Sequence, residues 1–157
     1  MDQTSFPKTR DERMKFEYSV MVYAMPKNLL SFNAENNGEV YVKYVSETER
    51  DVEFILVLRV PKGFPEKGER GRVYVYSPRP LKSVDGRVVG GPHPSYEFHT
   101  HVTSEDGLPC VCDGDVFREE NTFANLFQKA FIWLEAYLYH RRTGKPISDA
   151  LPAGGVD

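Results

Sequence analysis

Residues 122–142 carry the feature that most constrains what this chain can fold into, a wide apolar stripe at helical spacing. Phe123, Leu126, Phe127, Ala130, Phe131, Trp133, Leu134, Tyr137 and Leu138 recur at intervals of three and four, as the buried side of an amphipathic helix requires. Asn121 or Thr122 is placed to cap its start, and Gly144 followed by Pro146 stops it. A stripe this wide has to lie against a second apolar layer. Trp133 belongs to that packing rather than to a ligand platform.

The second layer is legible upstream as strands. Residues 39–45 follow Gly38 and end in a polar turn at 46–50. Residues 51–60 put Val52, Phe54, Leu56, Leu58 and Val60 on one face, with Glu53 and Arg59 on the other. Residues 72–76 set Val73 and Val75 opposite Tyr74 and Tyr76. Period-two alternation with β-branched and aromatic residues is the strand signal, and successive turns make an antiparallel meander the simplest connection. Phe32-Asn33 opens a shorter edge strand, which brings the expected sheet to about four strands. A first helix is expected from Thr9 to about Met25. Asp11, Glu12 and Arg13 lie on its surface, Met14, Phe16, Tyr18, Met21, Val22 and Met25 form its apolar side, and Pro26 ends it. Residues 78–109 hold Gly, Pro and His without a sustained period, and long irregular segments inside a domain are usually functional or disordered. The resulting class is α+β, an antiparallel β-meander packed against helices in one domain spanning residues 1–157. Residues 1–10 and 147–157 are expected to be flexible.

A length of 157 residues suits one domain with a single core, and 40% hydrophobic with 27% charged residues is ordinary for a globular chain. No apolar run, residues 55–58 included, approaches a membrane span, and Met1-Asp2-Gln3-Thr4 has no apolar signal region. A net charge of -3 argues against general nucleic-acid binding, while Arg141-Arg142 is left as a local basic patch. Two cysteines one residue apart close too small a ring to staple a fold, and they read as reduced thiols of a cytoplasmic protein.

The candidate chemistry lies in His99-Thr100-His101 and Gly107-Leu108-Pro109-Cys110-Val111-Cys112. A thiol after a Gly, in a constrained extended loop with imidazoles upstream, is a candidate nucleophile, although an unpaired Cys is often only a small buried hydrophobe. Cys112 is the weaker candidate, because Asp113 and Asp115 would disfavour its thiolate. His93, His99 and His101 also read as hydrogen-bonded loop residues. His99, His101, Cys110 and Cys112 also read as a zinc set, but zinc sites usually space paired ligands by two or more residues so that both can turn toward one metal. C-x-C and H-x-H fall short of that spacing, so no metal is expected there, and no cofactor. Cys112 to Arg118 fits the C-x5-R phosphatase pattern, but Asp113 and Asp115 would repel a phosphate dianion. Residues 86–91 are Gly-rich without the strand-to-helix setting of a nucleotide loop. Gly154-Gly155 near the terminus is given little weight as a modifier tail.

In order along the chain, several of these pieces resemble the ubiquitin-conjugating enzyme family, specifically its bacterial relatives from antiphage operons. They are the strand of residues 52–60, Phe64-Pro65, Val73-Tyr74-Val75-Tyr76-Ser77-Pro78, His101 upstream of Gly107-Leu108-Pro109-Cys110, Phe117, Thr122, Trp133-Leu134-Glu135-Ala136-Tyr137, and Thr143-Gly144-Lys145. Together they span about two thirds of the chain. The resemblance implies a ubiquitin-conjugating-enzyme-like fold and a thioester on Cys110 with a protein C-terminus. In that family an Asn of a His-Pro-Asn motif supports the oxyanion. Here His99-Thr100-His101 stands in its place, which hands the task to a histidine N–H, His101 first and His99 second. The chain ends soon after the long helix, without the two further helices of eukaryotic members. The implied partner is the C-terminus of a nucleotidyltransferase in cyclic-oligonucleotide antiphage signalling, or else a separate ubiquitin-like modifier. Neither nucleic acid nor membrane is an expected partner. An inactive relative serving as a binding module is the other implied reading.

Overall fold

The computed structural model describes residues 6–67, 71–114 and 121–152. Helix α1 runs Arg10–Ala24, and the Thr9 side chain accepts a hydrogen bond from the Glu12 N–H at its start. Five strands follow: β1 Leu29–Asn33, β2 Glu39–Val45, β3 Glu53–Arg59, β4 Arg72–Ser77 and β5 Cys110–Asp113. Helix α2, Phe123–Thr143, is capped by the Thr122 side chain and closed by Gly144 at φ 76°, the left-handed conformation that glycine adopts without strain. The class is α+β, with one antiparallel sheet in the order β1-β2-β3-β4-β5.

Strand alternation decides which side of the sheet each residue serves. Val40, Val42 and Tyr44 of β2, Phe54, Leu56 and Leu58 of β3, and Val73 and Val75 of β4 all join the main core. Phe123, Leu126, Phe127, Ala130, Trp133 and Leu134 of α2 pack against them. Trp133 is fully buried, donates its indole N–H to the Phe98 carbonyl at 2.8 Å and stacks on Tyr137. The stripe thus covers the sheet as its spacing predicts. The opposite face of the sheet carries a smaller cluster of Val57, Tyr74, Leu108 and Cys110, flanked by Tyr41 and Tyr76.

Four expectations are corrected. The sheet has a fifth strand, β5, in the segment expected as loop. Its short apolar run is buried on both faces and so lacks alternation. On α1 the buried residues are Arg13, Met14, Glu17 and Met21, whereas Tyr18 and Val22 are exposed. Arg13 is an interior residue rather than a surface one, because it is paired with Glu17 at 2.6 Å. Ile147, expected in a flexible tail, is buried in the main core through the short 3-10 turn Ile147–Ala150. At the other end, Phe6 packs on Phe16, and the Arg10 guanidinium donates to the Phe64 carbonyl at 2.7 Å.

The segment between β4 and β5 has no helix or regular strand, as expected, but it is closely tied down. Lys82 pairs with Val88, Ser95 with Thr100, and His101 with Cys110, each as a single antiparallel bridge. The Gly-rich stretch is part of this bracing, with Ser83 accepting from the Gly86 N–H and Val89 donating to the Leu81 carbonyl. No helix among the described residues is long and apolar enough to cross a membrane.

Candidate functional site around Cys110

Strand β5 begins at Cys110, and its pairing with β4 holds an irregularity that decides where both cysteines go. Val73 is opposite Cys112 and Tyr74 is opposite Cys110, so one step on β4 answers two on β5. Val111 is therefore the extra residue of a β-bulge. In an unbroken strand, residues two apart share a face. The bulge instead sends Cys112 into the main core under α2 and Cys110 to the other face, beside Tyr74, Val57 and Leu108.

Both cysteines are thiols rather than a disulfide, and both are 0% exposed. The Cys110 thiol donates toward the Cys112 carbonyl at 3.5 Å. Cys110 is thus a fully buried strand residue, not a residue of an open loop. Cys112 packs in the main core, and the Asp113 carboxylate beside it is paired with Arg72 at 3.2 Å. Asp115, Phe117, Arg118 and Gly154-Gly155 lie outside the described residues.

Of the three upstream imidazoles, only His101 is brought to Cys110. Its backbone N–H donates to the Cys110 carbonyl at 2.9 Å, in an antiparallel bridge. Residues directly opposed in such a pair project to the same face with Cβ atoms about 4.5–5.5 Å apart. Tyr74 is opposed to Cys110 from the other side, so strand pairing sets His101 and Tyr74 on either side of Cys110. His99 has φ 52° in the turn that returns Thr100 to Ser95. It is not among the residues lining the cleft described next, and His93 is exposed.

Beside this pair opens a cleft of about 600 Å3. Tyr74, His101, Arg59, Arg72, Pro94 and residues 102–105 line it, with Asp113 at its edge. Its cations are already engaged. Arg59 is bidentate to Asp106 at 2.6 and 2.8 Å, touches Glu39 at 3.2 Å, and lies over the Tyr74 ring at 5.5 Å. The hydrogen bonds from Arg59 and Ser104 hold the Asp106 carboxyl well below the usual carboxylate range. Burial pushes the Tyr74 hydroxyl up, the nearby Cys110 raises it further, and Arg72 and Arg59 oppose the rise. The cleft therefore offers a mixed polar wall and one imidazole rather than a basic cradle for phosphate. No group of three His, Cys, Asp or Glu suited to a metal ion occurs among the described residues.

Sequence reading missed Tyr74, Arg59 and Asp106 as parts of this site. Arg59 was visible as the polar-face residue closing β3. Asp106 was visible only as the residue before Gly107, whose φ of 87° turns the chain there. No protein-family model matches the sequence, and neither the curated proteins nor the solved structures give a significant match.

Proposed function

We propose that this chain is a ubiquitin-conjugating-like acyl carrier and transferase with the corresponding fold, acting in the reducing cytoplasm, in which Cys110 takes a protein C-terminus as a thioester. The observation that carries the reading is the His101–Cys110 bridge, with His101 and Tyr74 lining a cleft and the β5 bulge placing Cys110, and not Cys112, on the Tyr74 face of the sheet. The order of helix, meander, Cys-bearing segment and covering helix agrees with the resemblance in the sequence.

The incoming acyl group arrives already activated, as a thioester on another protein. The Cys110 sulfur adds to its carbonyl carbon and gives up its proton. The imidazole N–H of His101 steadies the tetrahedral oxyanion, and collapse expels the donor thiolate, which takes up a proton. One S–C bond forms and one breaks, so exchange is near thermoneutral and the protein's work is positioning and oxyanion stabilisation. An acceptor amine then removes the acyl group and regenerates the thiol. The donor terminus is that of a partner nucleotidyltransferase in bacterial antiphage defence, or of a ubiquitin-like modifier.

The test is a set of variants challenged with the acyl donor. Cys110→Ser converts a reductant-sensitive adduct into a reductant-resistant ester, and Cys112→Ser leaves the adduct unchanged. His101→Ala slows transfer on the order of a hundredfold, as loss of an oxyanion donor does, with little change in stability. An adduct that follows Cys112 would overturn the assignment. The complete burial of Cys110 favours a second reading, a non-catalytic binding module of the same fold. On that reading, function in the cell survives Cys110→Ser with folding intact.

A further inference from the structure

The structure assigns a specific cover to the Cys110 thiol: we propose that the turn of residues 104–108 is a latched lid, closed by the Arg59–Asp106 pair and plugged by Leu108. This rests on Cys110 being the reacting thiol. The turn is pre-formed by its own bonds. Ser104 donates its N–H to the Leu108 carbonyl, its hydroxyl accepts from the Leu108 N–H at 2.9 Å, and the same hydroxyl donates to Asp106 at 2.6 Å.

Leu108 is 0% exposed and sits in the same cluster as Cys110, Tyr74 and Val57. The rest of the turn is held from outside, by the two bonds from Arg59 of β3 to Asp106. Those groups are 30% and 51% exposed, so the latch is weak and reachable. An apolar plug with a weak polar fastening is built to open locally without unfolding the sheet, since regions with few buried contacts open first. Opening lifts Leu108 off the thiol and enlarges the cleft beside His101. A partner bringing an acidic group to Arg59 or a basic one to Asp106 would unfasten it on docking. The thiol would then be uncovered when an acyl donor is present and protected from oxidants otherwise.

The experiment is the rate of alkylation by iodoacetamide in native buffer, with tandem mass spectrometry assigning the label to Cys110 or Cys112. Asp106→Asn is expected to speed labelling of Cys110 about fivefold, the value of an exposed pair. Leu108→Ala should speed it by on the order of tenfold or more, because a core plug is removed. Cys112 labelling should remain slow in both. Glu97→Gln breaks another exposed bidentate pair, with Arg87 at 2.6 and 2.8 Å in the same long segment, and should change nothing. Circular dichroism and urea midpoints check that each variant is folded. Unchanged Cys110 labelling in folded Asp106→Asn and Leu108→Ala would overturn the proposal, as would equal acceleration by Glu97→Gln. The readout is thiol access, so it stands or falls separately from whether any acyl adduct forms.

Discussion

Truncating Glu17 to alanine should destabilise this protein more than any surface change. Glu17 is 0% exposed and its partner Arg13 is 3% exposed, with the charged groups 2.6 Å apart. The other Glu17 oxygen accepts the Phe123 N–H at 2.8 Å, so a residue of α1 satisfies an N-terminal donor of α2. Arg13 in turn donates to the Asn121 carbonyl and lies over the Phe6 and Phe64 rings at 4.7 and 5.0 Å. Removing the carboxylate breaks this buried ion pair from one side, a loss of about 3–5 kcal/mol. The uncapped N–H accounts for about 1 kcal/mol of it. Against a typical total of about 5–15 kcal/mol that is a large share, and it corresponds to a fall in Tm of roughly 6–20 °C. Replacing both charges, Arg13→Met with Glu17→Leu, should cost much less than the sum of the single changes, because the two members of the buried pair are removed together. Urea denaturation followed by circular dichroism closes this double-mutant cycle. A Glu17→Ala variant within about 1 kcal/mol of wild type, or a strictly additive double variant, would refute the reasoning.

Glu135 predicts a pH effect. Burial alone would raise its carboxyl, but bonds from Tyr44 (2.6 Å), Thr48 (2.7 Å), the Glu47 N–H and Ser46 bring it below the usual range. A carboxyl lowered on folding stabilises above its unfolded pKa and loses that contribution as pH falls through its folded one. Glu135→Gln should therefore be less stable than wild type at neutral pH, with the gap closing in urea titrations below about pH 4; a constant gap down to pH 2 would contradict this. Gly90→Ala places a Cβ 2.9 Å from the Pro109 Cβ and 3.1 Å from the Thr103 hydroxyl at φ 105°. It should cost about 1–3 kcal/mol by calorimetry, and an unchanged melting curve would count against the close approach at the edge of the cleft.

The elements that could be read in advance are those with one buried face. Alternation in β3 and the stripe of α2 had to agree with a single packing interface, so burial of Phe54, Leu56, Leu58, Phe127 and Trp133 follows directly from spacing. β5 was hidden because Cys110, Val111 and Cys112 are buried together and a bulge breaks their period. The α1 face was misjudged because charge was taken as exposure, whereas Arg13 and Glu17 neutralise each other inside. At the site, the proximity of His101 to Cys110 was foreshadowed by a short separation along the chain. Arg59 and Tyr74 come from strands far away in sequence, and only the sheet order brings them there.

The proposed function turns on Cys110 as the residue that carries an acyl group. Its most direct measurement is the intact mass of the protein after co-expression with its neighbouring genes, taken with and without a thiol reductant. The expected result is a protein-sized adduct on Cys110 that reductant removes, and that reappears as a resistant ester in Cys110→Ser. No adduct with any of those partners, or one attached at Cys112, would contradict it.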